Sequence, residues 1–240
     1  MYKGQRILAV VPARGGSKRL HRKNILSLGG KPLIEWSVNT AKLIPEVCDI
    51  LVSTDDIEIQ NVAQELGAYT PWLRPNNLST DHSNSVDVAL HALDWYESEH
   101  GTIDGLLMLQ PTSPFRSIKK VREGIKIFER QGVNSVLGVS HTHAHPGWLF
   151  KIKDNILSSF LDKHELNTRS QDLDPVYVIN GSFYLISPSA LRREKSFFTK
   201  QTLPLIIDSS MESLDIDTEQ DWQHAECHLN KLLLTKKAVS

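Results

Sequence analysis

Cysteine is scarce in this 240-residue chain: Cys48 and Cys227 are its two, and they lie far apart. No pair or cluster of them has the spacing of a redox motif or a structural metal site. Reduced thiols in a cytoplasmic protein are a simpler reading than a disulfide framework. No apolar run approaches the roughly 18 residues of a membrane span. Lys3 and Arg6 precede an apolar stretch of only five residues, so no secretory signal is expected. Charge of one sign is not in excess either, since 27 Lys and Arg face 28 Asp and Glu for a formal net charge of −1. A general binder of nucleic acid or of an anionic membrane is normally basic overall, so neither is expected as a partner. Three signature loops are missing. Without GxGxxG a dinucleotide-binding reading loses its main support, and without GxxxxGK[ST] so does a P-loop kinase or GTPase. Without GxSxG nothing points to covalent acyl transfer.

What the chain does have is concentrated near its start. Ile7 to Val11 is a short apolar run that reads as a buried parallel strand. It is expected to stop at Pro12, which cannot donate to a sheet ladder. The loop that follows holds Gly15 and Gly16 with five cations, Arg14, Lys18, Arg19, Arg22 and Lys23, and then Asn24. Glycines let backbone N–H groups approach an anion, and the cations neutralise several negative charges at once. This is chemistry for a nucleoside triphosphate, at the C-terminal end of a first strand, where open α/β sheets bind ligands. A plain basic surface loop would have no need of glycines, cations and an asparagine together behind a buried strand.

Apolar runs then alternate with amphipathic segments. Helices are expected over 32–43, 56–66, 84–98, 118–130 and 218–234, and strands over 49–53, 105–109, 135–139, 181–187 and 203–207. This order predicts an α/β fold with a mainly parallel sheet covered by helices on both faces. At 240 residues it is one large domain with a sizeable core. Residues 141–178 break the pattern with polar residues, short apolar pieces, Pro146 and Pro175. A stretch that long without helical period is unusual in a compact domain, and a hairpin arm packed on a partner chain would explain it.

Two constellations carry further chemistry. In Asp215-Ile216-Asp217, strand alternation would put both aspartates on one face and Ile216 in the core. Two facing carboxylates repel, and a hard cation such as Mg²⁺ best explains them. Leu109-Gln110-Pro111-Thr112-Ser113-Pro114-Phe115-Arg116 ends another buried run with an amide, hydroxyls and an arginine, although an ordinary turn capped by Ser117 has the same composition. Leu73-Arg74-Pro75 and the stretch Ser79 to Ser85, with Asp81 and His82, suit either base and ribose recognition or helix capping. His141, His143 and His145 at alternate positions, with no cysteine nearby, read as solvated polar sequence rather than as a zinc site.

The motifs PARGGSKR with LHRKN, LRP, NLSTD, LQPTSPFR, TRSQ, NGSFY and SLDIDTEQDW stand in the order of the acylneuraminate cytidylyltransferases, or CMP-sialic acid synthetases. The chain resembles that family from about Ile7 to Leu229. The first loop is shared with CMP-Kdo synthetases, whereas LQPTSPFR and SLDIDTEQDW are more specific. The resemblance implies a three-layer α/β/α, Rossmann-like nucleotide-sugar transferase fold and a homodimer with an arm, here 141–178, crossing between subunits. It implies transfer of CMP from CTP to the anomeric hydroxyl of a nine-carbon α-keto acid sugar, with Mg²⁺ and release of pyrophosphate. Carried over by motif, Arg14, Lys18 and Lys23 meet the phosphates, and Asn24, Arg74, Ser83 and Ser85 surround cytidine. Asp215 and Asp217 match the metal carboxylates. Arg14, Lys23 and Asp217 are the catalytic set, and Asp217 or a metal-bound water would accept the proton. Gln110, Arg169, Tyr184, Phe197 and Phe198 match positions lining the sugar pocket, with Arg169 reaching a neighbouring subunit. CMP-Kdo synthesis and a non-catalytic nucleotide-binding module are the alternatives. The first is disfavoured around Gln110 and Asp217, the second by the intact carboxylates. Val178 and Trp148 stand where N-acetylneuraminate enzymes often carry cations, which points to a less polar sugar such as legionaminic or pseudaminic acid.

Overall fold

The structure, a computed structural model, describes residues 5–80, 83–142, 144–161 and 168–239. In chain order the strands are β1 (Ile7–Pro12), β2 (Ser27–Leu28), β3 (Lys31–Pro32), β4 (Val47–Ser53), β5 (Gly105–Met108), β6 (Ser135–His141), β7 (Phe150–Lys153), β8 (Ile156–Ser159), β9 (Tyr177–Ile186) and β10 (Thr202–Ile206). The helices are α1 (Leu33–Lys42), α2 (Ile57–Glu65), α3 (Ser85–His100), α4 (Ile118–Phe128), α5 (Pro188–Glu194) and α6 (Glu219–Val239).

A six-stranded sheet in the order β10-β6-β9-β5-β1-β4 forms the middle layer. Strand β1 shows why there are three layers. All of Ile7 to Val11 are buried, and alternation splits them between two cores. Ile7, Ala9 and Val11 pack with Ile34 and Val38 of α1, Ile59 of α2 and Ile125 of α4. Leu8 and Val10 face the other way, against Leu93 and Tyr96 of α3 and Leu191 of α5. Burial on both faces is what makes these strands read as unbroken apolar runs. A third cluster joins Leu20 at the end of the first loop to Leu28, Leu33, Ile216 and Trp222, so it fastens α6 to the start of the chain.

Helix starts follow local capping. Asp56, Asn84, Ser117 and Ser187 accept N–H bonds at the heads of α2, α3, α4 and α5. At α6 the capping is reciprocal: Asp221 N–H donates to Thr218 Oγ1 at 3.3 Å, and Asp221 Oδ2 accepts from Thr218 N–H at 2.8 Å.

The structure departs from the sequence reading in several places. Pro12 is the last residue of β1 and pairs only on the β4 side, so no donor is missed. Strand β9 begins at Tyr177 and runs antiparallel to both β5 and β6, so the sheet is mainly but not wholly parallel. Helix α5 was not expected, although Ser187-Pro188 is a helix-start signal. Asp215-Ile216-Asp217 belongs to no strand. Ile216 is nevertheless anchored, because its N–H donates to Thr112 O at 2.7 Å and its side chain is fully buried.

Within 141–178 the described residues form the separate two-stranded hairpin β7–β8, closed by Asp154 and Asn155 at φ 52° and 59°, the left-handed pair of a type I′ turn. Ile152, Ile156 and Leu157 on it are 76%, 69% and 66% exposed. Among the described residues no helix is long and apolar enough to cross a membrane.

Candidate active site

The parallel strands β4, β1 and β5 end at one edge of the sheet, and the segments that leave them enclose a cavity of ≈ 690 Å³. Arg14, Lys18, Lys23, Asn24, Arg74, Ser83, Ser85, Gln110, Asp215 and Asp217 all line it. Gln110 and Asp215 also line a neighbouring cavity of ≈ 350 Å³ with Tyr184, Val178 and Ile179. Phe197 instead lies in the core, edge-on to Tyr184 with ring centroids 5.3 Å apart. Phe198 is 66% exposed and Arg169 is exposed, and neither lines these cavities. Asp81, His82 and His143 lie outside the described residues.

The first loop is held by its own polar groups. Gly15 N–H donates to Asp55 Oδ1 at 2.9 Å, so that glycine amide serves the loop rather than an incoming anion. A side chain at Gly15 would put Cβ 2.6 Å from Asp56 Oδ2, which is why the position needs glycine. Asn24 Nδ2 donates to Arg14 O at 2.8 Å and braces the turn. Arg19 joins Arg14, Lys18 and Lys23 on the cavity wall. Arg22 turns toward α2, pairing with Glu58 at 2.6 Å.

Lys23 is the pivot of the far wall. Its Nζ, on a buried side chain, donates to Ile216 O and to Asp217 Oδ1, both at 2.8 Å. Arg19 reaches Asp217 Oδ2 at 3.0 Å from an exposed position, a contact of small energetic weight. Partial burial works against ionised Asp217, but the hydrogen bond and charge of Lys23, with Arg19, outweigh it and hold the carboxyl below its usual range. Asp215 goes the other way. It opens onto the cavity, yet enclosure by surrounding protein pushes its carboxyl up; a hydrogen bond with Thr112 pulls it down, and the charge of Asp217 adds to the rise. The two aspartates are therefore unlike: one is already compensated, the other still in need of positive charge.

Arg74 forms the opposite wall. Its side chain is 4% exposed, its NH2 lies 3.7 Å from Asp55 Oδ1, and its Nε donates to Ser79 Oγ at 3.3 Å. Burial lowers its pKa, Asp55 opposes that, and the nearby Arg14 charge adds to it. Asn84 caps α3, whereas Ser83 Oγ accepts from Thr80 N–H at 2.9 Å and orders the loop before it.

Two residues matter more than their motifs suggested. Arg116 does not reach the cavity. It is buried, donating to Ser182 O, to Gln110 O at 2.6 Å and to Ser37 Oγ at 3.0 Å. Burial lowers its pKa to about 9, with Asp215 and Tyr184 opposing the fall, so it stays cationic at neutral pH. It thus ties the segment after β5 and the middle of β9 to Ser37 of α1. Above the clamp, Gly181 sits at φ +77° where β9 shifts register, and a Cβ there would come 3.1 Å from Gln110 Oε1. The glycine supplies both the left-handed backbone and the room for Gln110. Asp55 is the second such residue. Its signal was Ser53-Thr54-Asp55-Asp56, a polar run ending β4 at the same sheet edge as the first loop.

A wall of cations facing two unlike carboxylates suits a polyanion accompanied by a divalent metal. Comparison with known proteins identifies the family. The sequence profile of a family described as cytidylyltransferase matches residues 8–227. A CMP-N,N'-diacetyllegionaminic acid synthase of Legionella pneumophila is 40% identical over 228 residues, covering 92% of this chain and 95% of that protein. A pseudaminic acid cytidylyltransferase of Campylobacter jejuni is 30% identical, covering 91% of this chain and 94% of that protein. An N-acylneuraminate cytidylyltransferase of Streptococcus agalactiae is 33% identical over 92% of this chain, which spans 53% of that longer protein. A solved CMP:2-keto-3-deoxy-manno-octonic acid synthetase complexed with CTP shares the fold, with TM-score 0.69 at 16% identity, covering 94% of this chain and 99% of that one.

The clamp beneath the site can be tested through stability. Arg116→Met takes the guanidinium donor from the buried Ser182 carbonyl and from Gln110 O, which keeps Ser113 N–H and Ser37 Oγ as donors, and should cost roughly 1–3 kcal/mol in urea unfolding. A loss below about 0.5 kcal/mol would mean that these carbonyls are satisfied without the guanidinium.

Proposed function

The chain belongs to the cytidylyltransferase family, and from that premise we propose that it transfers CMP from CTP to the anomeric hydroxyl of a sialic-acid-like nonulosonic acid, releasing pyrophosphate. The observation that carries this reading is the cavity in which Arg14, Lys18, Lys23 and Arg74 face Asp215 and Asp217. The resemblance to synthases of CMP-legionaminic, pseudaminic and sialic acids supports the sugar class. CMP-Kdo synthesis is less favoured, because the solved synthetase of that kind is 16% identical, against 30–40% for the nonulosonic acid relatives.

The proposed division of labour follows the walls. Arg14, Lys18 and Lys23 take the triphosphate, and charge-assisted bonds to it are the strong ones. Arg74, Ser83 and Ser85 take the cytidine side. Gln110 and Tyr184 face the sugar in the second cavity, with Phe197 backing Tyr184. The two aspartates fit Mg²⁺: they offer hard oxygen donors, and both open onto the cavity. Among the described residues no group of three or more His, Cys, Asp and Glu forms a full cage. Mg²⁺ commonly takes one or two carboxylates and completes its shell with phosphates and water. Bound there, the ion would supply positive charge against the α-phosphate as negative charge builds on it. The protein's own work is to hold the hydroxyl and the departing pyrophosphate in line and to exclude other geometries. Asp217, which Lys23 holds by hydrogen bond and charge, would be the protein group to accept the proton of the attacking hydroxyl.

The assembly we propose is a homodimer through the hairpin arm. Beyond Ile152, Ile156 and Leu157, Phe160 on the arm is 52% exposed, and a second copy would cover this apolar surface. The same contact would bring Arg169, which is remote from its own chain's cavities, to the partner's sugar. The free thiols Cys48 and Cys227 suit a cytoplasmic setting.

For the sugar, Val178 and Ile179 contribute apolar wall to the second cavity beside the polar Ser140, His141 and Asn180, and among the described residues Asp215 is the only acid and no Lys or Arg lines it. That favours a deoxy or methyl-bearing substituent.

Three measurements test these points. Pyrophosphate release from CTP with a panel of nonulosonic acids should show a kcat/KM for a 9-deoxy sugar, legionaminic or pseudaminic, about 10- to 200-fold above that for N-acetylneuraminate. Absence of turnover with the whole panel would sink the activity, and preference for N-acetylneuraminate would sink the sugar choice. Asp217→Asn should lower kcat by roughly 100-fold or more with the fold intact; near-normal turnover at saturating Mg²⁺ would remove Asp217 from the metal site. Sedimentation at micromolar concentration should give a dimer that Leu157→Asp dissociates, and a wild-type monomer would defeat the arm.

A further inference from the structure

A carboxylate beside a triphosphate site is electrostatically unfavourable unless it does something else. Asp55 lies behind the cavity and does not line it. Its Oδ1 accepts from Gly15 N–H at 2.9 Å and lies 3.7 Å from Arg74 NH2. One carboxylate oxygen thus joins the loop after β1 to the segment after β4 that carries Arg74. The backbone repeats the link, since Arg74 N–H donates to Thr54 O at 2.6 Å.

Arg74 needs such a partner. Its guanidinium is nearly enclosed, and a buried cation beside another cation is costly without a counter-charge. Arg14, on the same cavity wall, acts on Arg74 as a like charge. Asp55 is the carboxylate within ion-pair distance of Arg74 among the described residues. The remaining polar contact of the guanidinium, Nε to Ser79 Oγ at 3.3 Å, is neutral.

We infer that Asp55 is a positioning residue of the nucleotide site: it holds Arg74 in the wall and fixes the Gly15 turn, so that Arg14 and Arg74 face one ligand together. This role rests on the reading of the cavity as the CTP site. It assigns Asp55 to nucleotide affinity and not to turnover or sugar binding, because neither of its partners, Gly15 and Arg74, contacts Asp217 in any hydrogen bond or ion pair among the described residues or lines the second cavity.

The test combines calorimetry with CTP and steady-state kinetics on Asp55→Asn, Arg74→Ala and the double variant. Asparagine can still accept from Gly15 N–H but loses the charge facing Arg74. We expect Kd and KM for CTP to rise roughly 10-fold, with kcat and the sugar KM within about threefold of wild type. In the Arg74→Ala background the added effect of Asp55→Asn should largely vanish, the mark of a coupled pair. Asp55→Glu, which keeps the charge, should recover part of the affinity and also serves if the asparagine variant is poorly folded. A merely structural role would lower thermal stability and the active fraction without this selective change in CTP affinity. Unchanged or tighter CTP binding in Asp55→Asn overturns the role, as does a full effect in the Arg74→Ala background. Wild-type protein that gives no heat with CTP but remains folded would overturn the nucleotide site itself, a result distinguishable from the others because no variant is involved.

Discussion

Lys23 connects the two ends of the chain. Its ammonium is shared between Ile216 O and the Asp217 carboxylate, 194 positions away from Asp217 in sequence. The contact closes the cavity on one side. It sets the charge state of Asp217, and it works with the Leu20–Ile216–Trp222 cluster to seat α6 against the first loop. A loop with five cations would splay if left to itself. Here one cation is committed to a carboxylate inside the site and another, Arg22, to Glu58 outside it. The cluster is therefore partly neutralised before any ligand enters, and side chains already ordered lose less entropy on binding.

The sheet supplies a second constraint. Three parallel strands deliver their following segments to one edge, while β9 enters from the opposite direction between β5 and β6. The antiparallel insertion brings Asn180, Gly181 and Ser182 to the end of β5, where Arg116 fastens them to the Gln110 carbonyl. Gly181 takes the left-handed backbone that the register shift of β9 requires, and the buried guanidinium fastens the neighbouring Ser182 carbonyl. Nucleotide and sugar sides then meet at Gln110 and Asp215, the residues common to both cavities. That arrangement places the two substrates of the proposed reaction on either side of the carboxylate most in need of a cation.

The pattern of sequence likeness matches this division. Likeness to a CMP-Kdo synthetase survives as fold at 16% identity, whereas nonulosonic acid relatives reach 30–40%. The same sheet edge can serve different ligands when the residues around it change, and on the proposed reading Val178 and Ile179 are candidates for that role. Function of this kind resides in the site grafted onto the fold.

Much of the fold was legible from residues alone. Strands β1 and β5 are buried on both faces, so their apolar runs are unbroken, and the caps Asp56, Asn84 and Ser117 mark helix starts through local bonds. The first loop, Arg74, Gln110 and the two aspartates were legible as candidates, and the fold brings them to one cavity. Other features were decided by contacts between distant segments. The direction of β9 carries no local mark, since an inner strand reads alike in either sense. Asp215-Ile216-Asp217 imitates strand alternation, but the pattern arises from one buried isoleucine held by Thr112 O. Arg116 has the composition of a binding residue and became a clamp because three acceptors surround it. Asp55 and Phe197 show the same limit: one looks like an ordinary strand-end acid, the other like a pocket aromatic. By itself the sequence determined the inner apolar strands, the capped helices beside them and which charged groups follow the strand ends, because burial pattern, capping and charge are local properties. Which side chains face the cavity, which brace it and which aspartate keeps its charge were decided by tertiary structure, because each depends on the distance between groups that the chain brings together only when folded.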